Sequence, residues 1–483
     1  MPVNVVPAYQ RIAEHYRQAI ESGTLKLGER MPSVRRIQRL HQVSMSTSLQ
    51  ACRHLEDMGW LRAKPRSGYF VQRPSRQLLP AVTEPNPQRC ANPKRFSGLH
   101  EGVSAFVAQD QTPIRVNLGC AYANADAYPT SALQASYQKA LRLWPQAMVQ
   151  PAPAQGALLF REALARRALD AGMQLAANQV LVTHGCIEAL NLALRAVAQP
   201  GDTVAIESPA YFGLLQILAS LNLLALEIPT SPRTGMSVDA LELALRTHKV
   251  KAVVVVPNFH NPLGCVMPDS AKAAMVALCE PQGVAIIEDD TYSALYDEPG
   301  TTSKALKAWD PTGTVIHCAS LTKILAPGMR LGWINGGRWH GRITMLKHAN
   351  SRPNEALAQL ALAQYMGSAA YDRHLARLRQ RLKRQREQMQ DAIVRHFPAG
   401  TALNPPCGGM LLWVELPPAC SSQDLYNAAL DEGIRIAPGA IFSNSKRFDH
   451  FIRLSCGGTF DEATQEAMRR LGYLSSTLAQ GAC

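Results

Sequence analysis

The sequence predicts a two-part α/β chain: a small N-terminal helical module with a hairpin, then a large domain whose mostly parallel sheet is covered by helices. Three observations predict it. At 483 residues the chain exceeds what one core sustains, roughly 250–300 residues. From about Val116 onward, short apolar runs alternate with amphipathic helical patterns. Charge is also uneven: residues 1–76 hold thirteen Lys/Arg against five Asp/Glu, a net of +8, leaving +5 of the total +13 for the other 407 residues. A basic front end points to a polyanionic partner. The expected domains are 1–74, a Pro-rich basic linker 75–115, and 116–483.

Hydrophobic residues make up 47% and charged residues 18%, as in an ordinary globular protein with a large core. No run of about 18 apolar residues is present, so no membrane partner is expected. The first twenty residues carry charges where an export signal needs an apolar stretch. Eleven scattered cysteines without a C-x-x-C pair predict reduced thiols, a cytoplasmic location and no metal site.

In the first module, Ile12, Tyr16, Ala19 and Ile20 share one face of a helix ending near Gly23. Ser33 is the expected N-cap of a second helix, with Val34, Ile37 and Leu40 inward. A third helix starts near Ser44 and runs through Thr47, Leu49 and Leu55 to a stop at Gly59. Leu61–Lys64 and Tyr69–Val71 flank a turn, Pro65-Arg66-Ser67-Gly68, with a cation at its tip. Three helices and a basic hairpin make a winged helix-turn-helix.

The pattern Ile20-x-x-Gly23, Gly28, Met31-Pro32-Ser33-x-Arg35, Val43-Ser44, Thr47, Leu55, Gly59 and Gly68 resembles the GntR family of bacterial regulators. The resemblance implies that the third helix enters the DNA major groove while the wing approaches the minor groove or backbone. It places Arg35, Ser44, Ser46, Thr47, Arg66 and the wing Gly68 at the DNA, mostly against phosphates. Met45 stands where family members often carry a cation, and its side chain cannot hold a phosphate.

In the linker, Pro74, Pro80, Pro85, Pro87 and Pro93 predict an extended, semi-rigid first half, and Phe96–Phe106 a short segment docking on the next domain.

The large domain should bear strands at Val180–Thr183, Thr203–Ile206, Leu223–Ile228, Val250–Val256, Val284–Glu288 and Thr314–Ala319. Helices are expected at Glu188–Ala198, Tyr211–Leu221, Val238–Thr247 and Ala271–Cys279. Ligands of such sheets bind where strands end. The last of these strands runs into Ser320-Leu321-Thr322-Lys323, with Arg330 seven residues beyond the lysine. A desolvated lysine loses its proton and becomes an imine-forming amine. Ser320, Thr322 and Arg330 can hold a phosphate beside it. Lysine, phosphate anchors and imine chemistry suggest pyridoxal 5'-phosphate (PLP); an incidental loop lysine is the alternative.

Thr183-His184-Gly185-Cys186-Ile187 opens a helix whose free N–H groups suit a phosphate. Asn261 lies in N-P-x-G, and Asp289 and Tyr292 lie in Asp289-Asp290-Thr291-Tyr292, each after an apolar run. An aspartate can pair with a pyridine nitrogen, and a tyrosine and an asparagine can share a ring oxygen. This order resembles the fold-type I PLP enzymes of the aminotransferase class over roughly 116–475. The resemblance implies Lys323 as the Schiff-base lysine, Asp289 on the ring nitrogen, and Tyr292 and Asn261 on the ring oxygen. Gly185, Cys186, Ile187, Ser320, Thr322 and Arg330 would hold the phosphate, Tyr211 would stack on the ring, and Arg453 would clamp an α-carboxylate. Pro151 replaces a tyrosine that reaches the partner subunit's phosphate in that family, and Ile187 replaces a glutamine.

A GntR-like reader joined to an aminotransferase-like domain resembles the MocR group of transcription regulators. That resemblance implies a homodimer on two operator half-sites, sensing an amino compound by forming an external aldimine with PLP. A working aminotransferase is the alternative, and a cofactor-free scaffold would have no reason to keep Lys323, Asp289 and Arg453 together.

Overall fold

A computed structural model of the protein describes residues 7–26, 28–58, 60–64, 67–72, 79–86, 92, 94, 106, 113–297 and 304–480. The chain forms two compact units, Met1–Leu78 and Leu79–Cys483.

The first unit contains α1 (Ala8–Glu21), α2 (Val34–His41), α3 (Met45–Asp57), β1 (Leu61–Lys64) and β2 (Gly68–Val71). Its core is Ile12, Tyr16, Ile20, Met31, Ile37, Cys52, Leu55, Leu61 and Val71 with their small neighbours. Ser33 caps α2 by accepting from the Arg36 N–H, and Ser44 caps α3 by accepting from the Thr47 N–H. Each cap satisfies a donor that the first helical turn leaves free. β1 and β2 pair antiparallel from Leu61↔Val71 to Lys64↔Gly68, which makes the wing.

Two packing expectations differ. Leu40 is 62% exposed, because α2 ends one residue later with Gln42 left-handed (φ 51°), whereas Ile37 is buried and Val34 packs half-buried against the core. Ala19 is only half-buried, and Ala13 takes the fully buried place. The expected stop at Gly59, the wing cation Arg66 and most of the linker lie outside the described residues.

The larger unit is built on an eight-stranded sheet. Its strands are β4 (Leu181–Thr183), β5 (Thr203–Ser208), β6 (Leu224–Ser231), β7 (Gly235–Met236), β8 (Val250–Val255), β9 (Ala285–Asp289), β10 (Val315–Ser320) and β11 (Gly332–Asn335). They lie in the order β4-β11-β10-β9-β8-β5-β6-β7. The successive pairs from β10 to β6 are parallel, whereas β11 runs antiparallel to both β4 and β10, and β7 antiparallel to β6. The sheet is therefore mostly parallel, as expected, with one reversed strand inside it.

Helices α4 (Gly185–Val197), α5 (Phe212–Ser220), α6 (Val238–Thr247) and α7 (Asp269–Cys279) join the strands. One apolar cluster unites α4 and α5 with Ile206, Val254, Ile287 and Ile316, and another unites α6 and α7 with Ala205, Val253, Val255 and Ile286. Alternate residues of each strand thus feed opposite layers, so the sheet is buried on both faces.

A second sheet joins β12 (Ala402–Leu403), β13 (Leu411–Glu415), β16 (Phe451–Ser455) and β15 (Ala437–Pro438) in that order, and β3 (Val116–Asn117) pairs parallel with β14 (Ile434–Arg435). The linker is docked at Val82 and Thr83. The Thr83 N–H and hydroxyl donate to the two oxygens of Glu415 at 2.7 and 2.8 Å, and Val82 is buried in the core of this unit. Phe106 is buried there too, with Arg435 over its ring at 4.6 Å. No helix among the described residues is long and apolar enough to cross a membrane.

Candidate functional site

Parallel strands end on the same edge of a sheet, so the residues following β4, β5, β8, β9 and β10 converge. Those residues are Gly185, Tyr211, Asn261, Asp289 with Tyr292, and Lys323.

Lys323 lies in the turn after β10, its Nζ 3.6 Å from the centroid of the Tyr122 ring. Burial and the neighbouring Arg453 bring its pKa down from 10.5 to about 7, against the pull of Asp289. An ordinary lysine at pH 7 is neutral in about one molecule in three thousand; this one is close to half neutral. The neutral amine is the nucleophile. Loading with PLP is therefore expected to speed up as pH rises through about 7 and to level off above about 8.5. Stopped-flow absorbance at about pH 6–9 checks this, and a rate still climbing tenfold per unit at pH 9 would contradict it.

Asp289 is buried at the end of β9, where desolvation raises its pKa while bonds from Thr291 and Cys186 oppose the rise. Asp290 faces away and accepts from Asn258 at 3.1 Å and Ser293 at 3.0 Å, with the His317 ring at 3.1 Å. Burial pushes the Tyr292 phenol upward and the Tyr211 phenol up to about 12, so both remain protonated donors. Arg453 is 2% exposed on β16; its Nη1 donates to Asn261 Oδ1 at 3.0 Å and its Nη2 to the Gly119 carbonyl. That bond occupies the Asn261 oxygen and leaves its amide nitrogen as the free donor. Among the described residues Nε of Arg453 is buried without a partner.

The phosphate-type anchors also meet. β11 brings them together, because Gly332 pairs with Ser320 on one side and Thr183 on the other. A Cβ at Gly332 would stand 2.7 Å from the Ala319 carbonyl oxygen and the Gly185 carbonyl carbon, so only glycine allows this approach. Gly185 (φ +78°) starts α4, and a Cβ there would meet the Arg330 guanidinium at 3.0 Å. The Arg330 guanidinium therefore stands over the positive end of a helix. Glu188, in the same turn, is paired with Lys347 at 2.9 Å and accepts from the His184 N–H at 2.6 Å. Among the described residues Thr322 Oγ1 is buried with no partner, and Ser320 is 3% exposed. An orphaned hydroxyl, a guanidinium and a helix start fit a phosphate. A buried acid with one oxygen open, the Asn261 amide and a half-neutral lysine fit the ring and aldehyde of PLP.

The family "Aminotransferase class I and II" matches residues 120–471, and "Bacterial regulatory proteins, gntR family" matches residues 8–71. The uncharacterized HTH-type transcriptional regulator YjiR of Escherichia coli K12 is 35% identical over 96% of this chain and 98% of its own. The chain belongs to the GntR-type regulators that carry an aminotransferase-like domain. A second relative, the uncharacterized HTH-type regulator YdcR of the same strain, is 34% identical over the same shares. Kynurenine aminotransferase of Pyrococcus horikoshii, solved with PMP, superposes with a TM-score of 0.72 at 26% identity, covering 79% of the regulator and 95% of that chain.

The regulator adds residues that its sequence did not single out. Tyr122 faces Lys323, the Gly119 carbonyl holds Arg453, and Thr291 binds Asp289. Gly119 and Tyr122 lie outside the strands and helices that the sequence predicts, and Thr291 lies beyond a strand end, so no local signal marks them. Cys186, expected to serve through its main chain, also donates from its thiol to Asp289 at 3.2 Å. Ile187 is 38% exposed at the helix start. In the DNA-reading unit, Arg35, Ser44, Met45, Ser46 and Gly68 are exposed and Thr47 is half-buried. Ser44 Oγ also lies 2.7 Å from Ser46 Oγ, so part of this hydroxyl cluster serves the cap.

Proposed function

We propose that this regulator holds PLP on Lys323 and changes its operator binding when an amino compound enters the site. The observation that supports it most is the half-neutral Lys323 set among Asp289, Thr322, Arg330 and Arg453, in a chain that begins with a GntR-type reader. PLP supplies an aldehyde that joins amines and a ring that withdraws electrons.

Asp289 would stabilise the positive ring nitrogen. Tyr292 and the Asn261 amide would donate to the ring oxygen, and Tyr211 would cover the ring face. The N–H groups of Gly185, Cys186 and Ile187, with Ser320, Thr322 and Arg330, would hold the phosphate. Arg453 would clamp the carboxylate of an amino-acid effector. Occupancy shifts DNA affinity only as far as the effector binds two arrangements of the chain differently. The reader would act as a homodimer on two half-sites in the cytoplasm, with Arg35, Ser44, Ser46, Thr47, Arg66 and Gly68 at the DNA.

Selection of bound genomic fragments with and without PLP tests the whole reading, and identical fragments at equal affinity would defeat it. On the selected operator, Arg35→Ala is expected to weaken binding and to lower the salt slope by about 1, as loss of one phosphate contact requires. Filter binding across salt concentrations reads both quantities. Keto-acid production across many amino donors would instead favour an aminotransferase.

A further inference from the structure

Asp289 is held unevenly. Its Oδ1 accepts from the Cys186 thiol at 3.2 Å, from the Thr291 N–H at 3.2 Å and from the Thr291 hydroxyl at 2.5 Å. Among the described residues Oδ2 accepts nothing. Three donors on one oxygen fix the rotation of the carboxylate and leave the other oxygen for a single partner. We propose that Thr291 and Cys186 are positioning residues, which present Asp289 Oδ2 to a protonated ring nitrogen.

The inference rests on the reading of this pocket as a PLP site. Asp289 needs such support, because it is buried beside a second carboxylate, Asp290, and both effects favour its neutral form. A neutral acid cannot hold a pyridinium charge. The other titratable groups facing it are Cys318 from β10, Lys323 beyond that strand, Tyr211 before α5 and Tyr292. Of the cations nearby, Lys323 interacts with the Asp289 charge and is itself close to half neutral. The donors from Thr291 and Cys186 therefore carry the task of keeping the acid charged. Cys186 has a second part, since its main-chain N–H opens α4 at the phosphate end. One residue thus ties the ring partner to the phosphate cradle.

The test uses the full chain loaded with PLP. Thr291→Val removes the hydroxyl at nearly constant volume, and Thr291→Ser keeps it. Thr291→Val is expected to weaken PLP binding about tenfold, the scale of one lost charge-assisted bond. It should also move the pH midpoint of the visible band upward, because an unprotonated ring withdraws less charge from the amine end. Thr291→Ser should restore both, and Cys186→Ala should shift both less than Thr291→Val, with Cys186→Ser between it and wild type. A Thr291→Val protein with wild-type thermal stability, PLP affinity within about twofold and an unmoved midpoint would overturn the proposal. The wild-type band and its loss in Lys323→Ala test the underlying PLP reading separately.

Discussion

Lys323→Ala is expected to remove the visible absorbance of the PLP-treated protein completely. The band requires conjugation between the cofactor and an amine of the chain, and Lys323 is the amine that burial has brought to about pKa 7. Alanine has no atom to supply. The phosphate anchors Arg330, Thr322 and the start of α4 would remain. PLP should therefore still bind, more weakly, and be washed out by dialysis. Folding should survive, because among the described residues Lys323 contacts the Tyr122 ring rather than holding a neighbour by a hydrogen bond, and its removal lifts a desolvation penalty. A spectrophotometer and a dialysis cell decide the matter, and a band that persists in Lys323→Ala would place the attachment elsewhere.

Arg453→Met should cost the second largest effect, on effector affinity rather than on the band. Two charge-assisted bonds to a carboxylate contribute about 1.5–3 kcal/mol each, so their loss should weaken an amino-acid effector by about 100-fold or more. Methionine fills the volume beside Phe442 but leaves Asn261 Oδ1 and the Gly119 carbonyl without their donor. That desolvation costs about 1–3 kcal/mol for each group, so thermal stability should fall as well. The discriminating measurement compares an amino acid with the amine that lacks its carboxylate. Wild type should prefer the amino acid, and Arg453→Met should treat the two alike. An unchanged preference would remove Arg453 from the effector site.

Much of the fold was legible because it is periodic. Val238–Thr247 is a helix with the bounds its apolar spacing predicts, and the run from Val250 is a strand to Val255. The ends of such runs locate Asp289 and Lys323, since parallel strands deliver their last residues to one edge. What the local pattern does not hold is pairing between distant segments. β11 is four residues long, begins with glycine and is not among the strands the sequence predicts, yet its Gly332 pairs with both Ser320 and Thr183. The bond between Arg453 and Asn261 joins positions 192 residues apart.

By itself the sequence determined the two-part organisation, the strand–helix alternation and the chemistry-bearing residues at strand ends. These follow from side-chain period and backbone preference, which are local. Only the tertiary structure decided that Lys323 is desolvated, that Thr291 and Cys186 load one oxygen of Asp289, that Tyr122 covers the lysine and that Thr83 is fastened to Glu415. Burial and electrostatic environment depend on what packs around a group, and most of those neighbours come from segments far away in the chain.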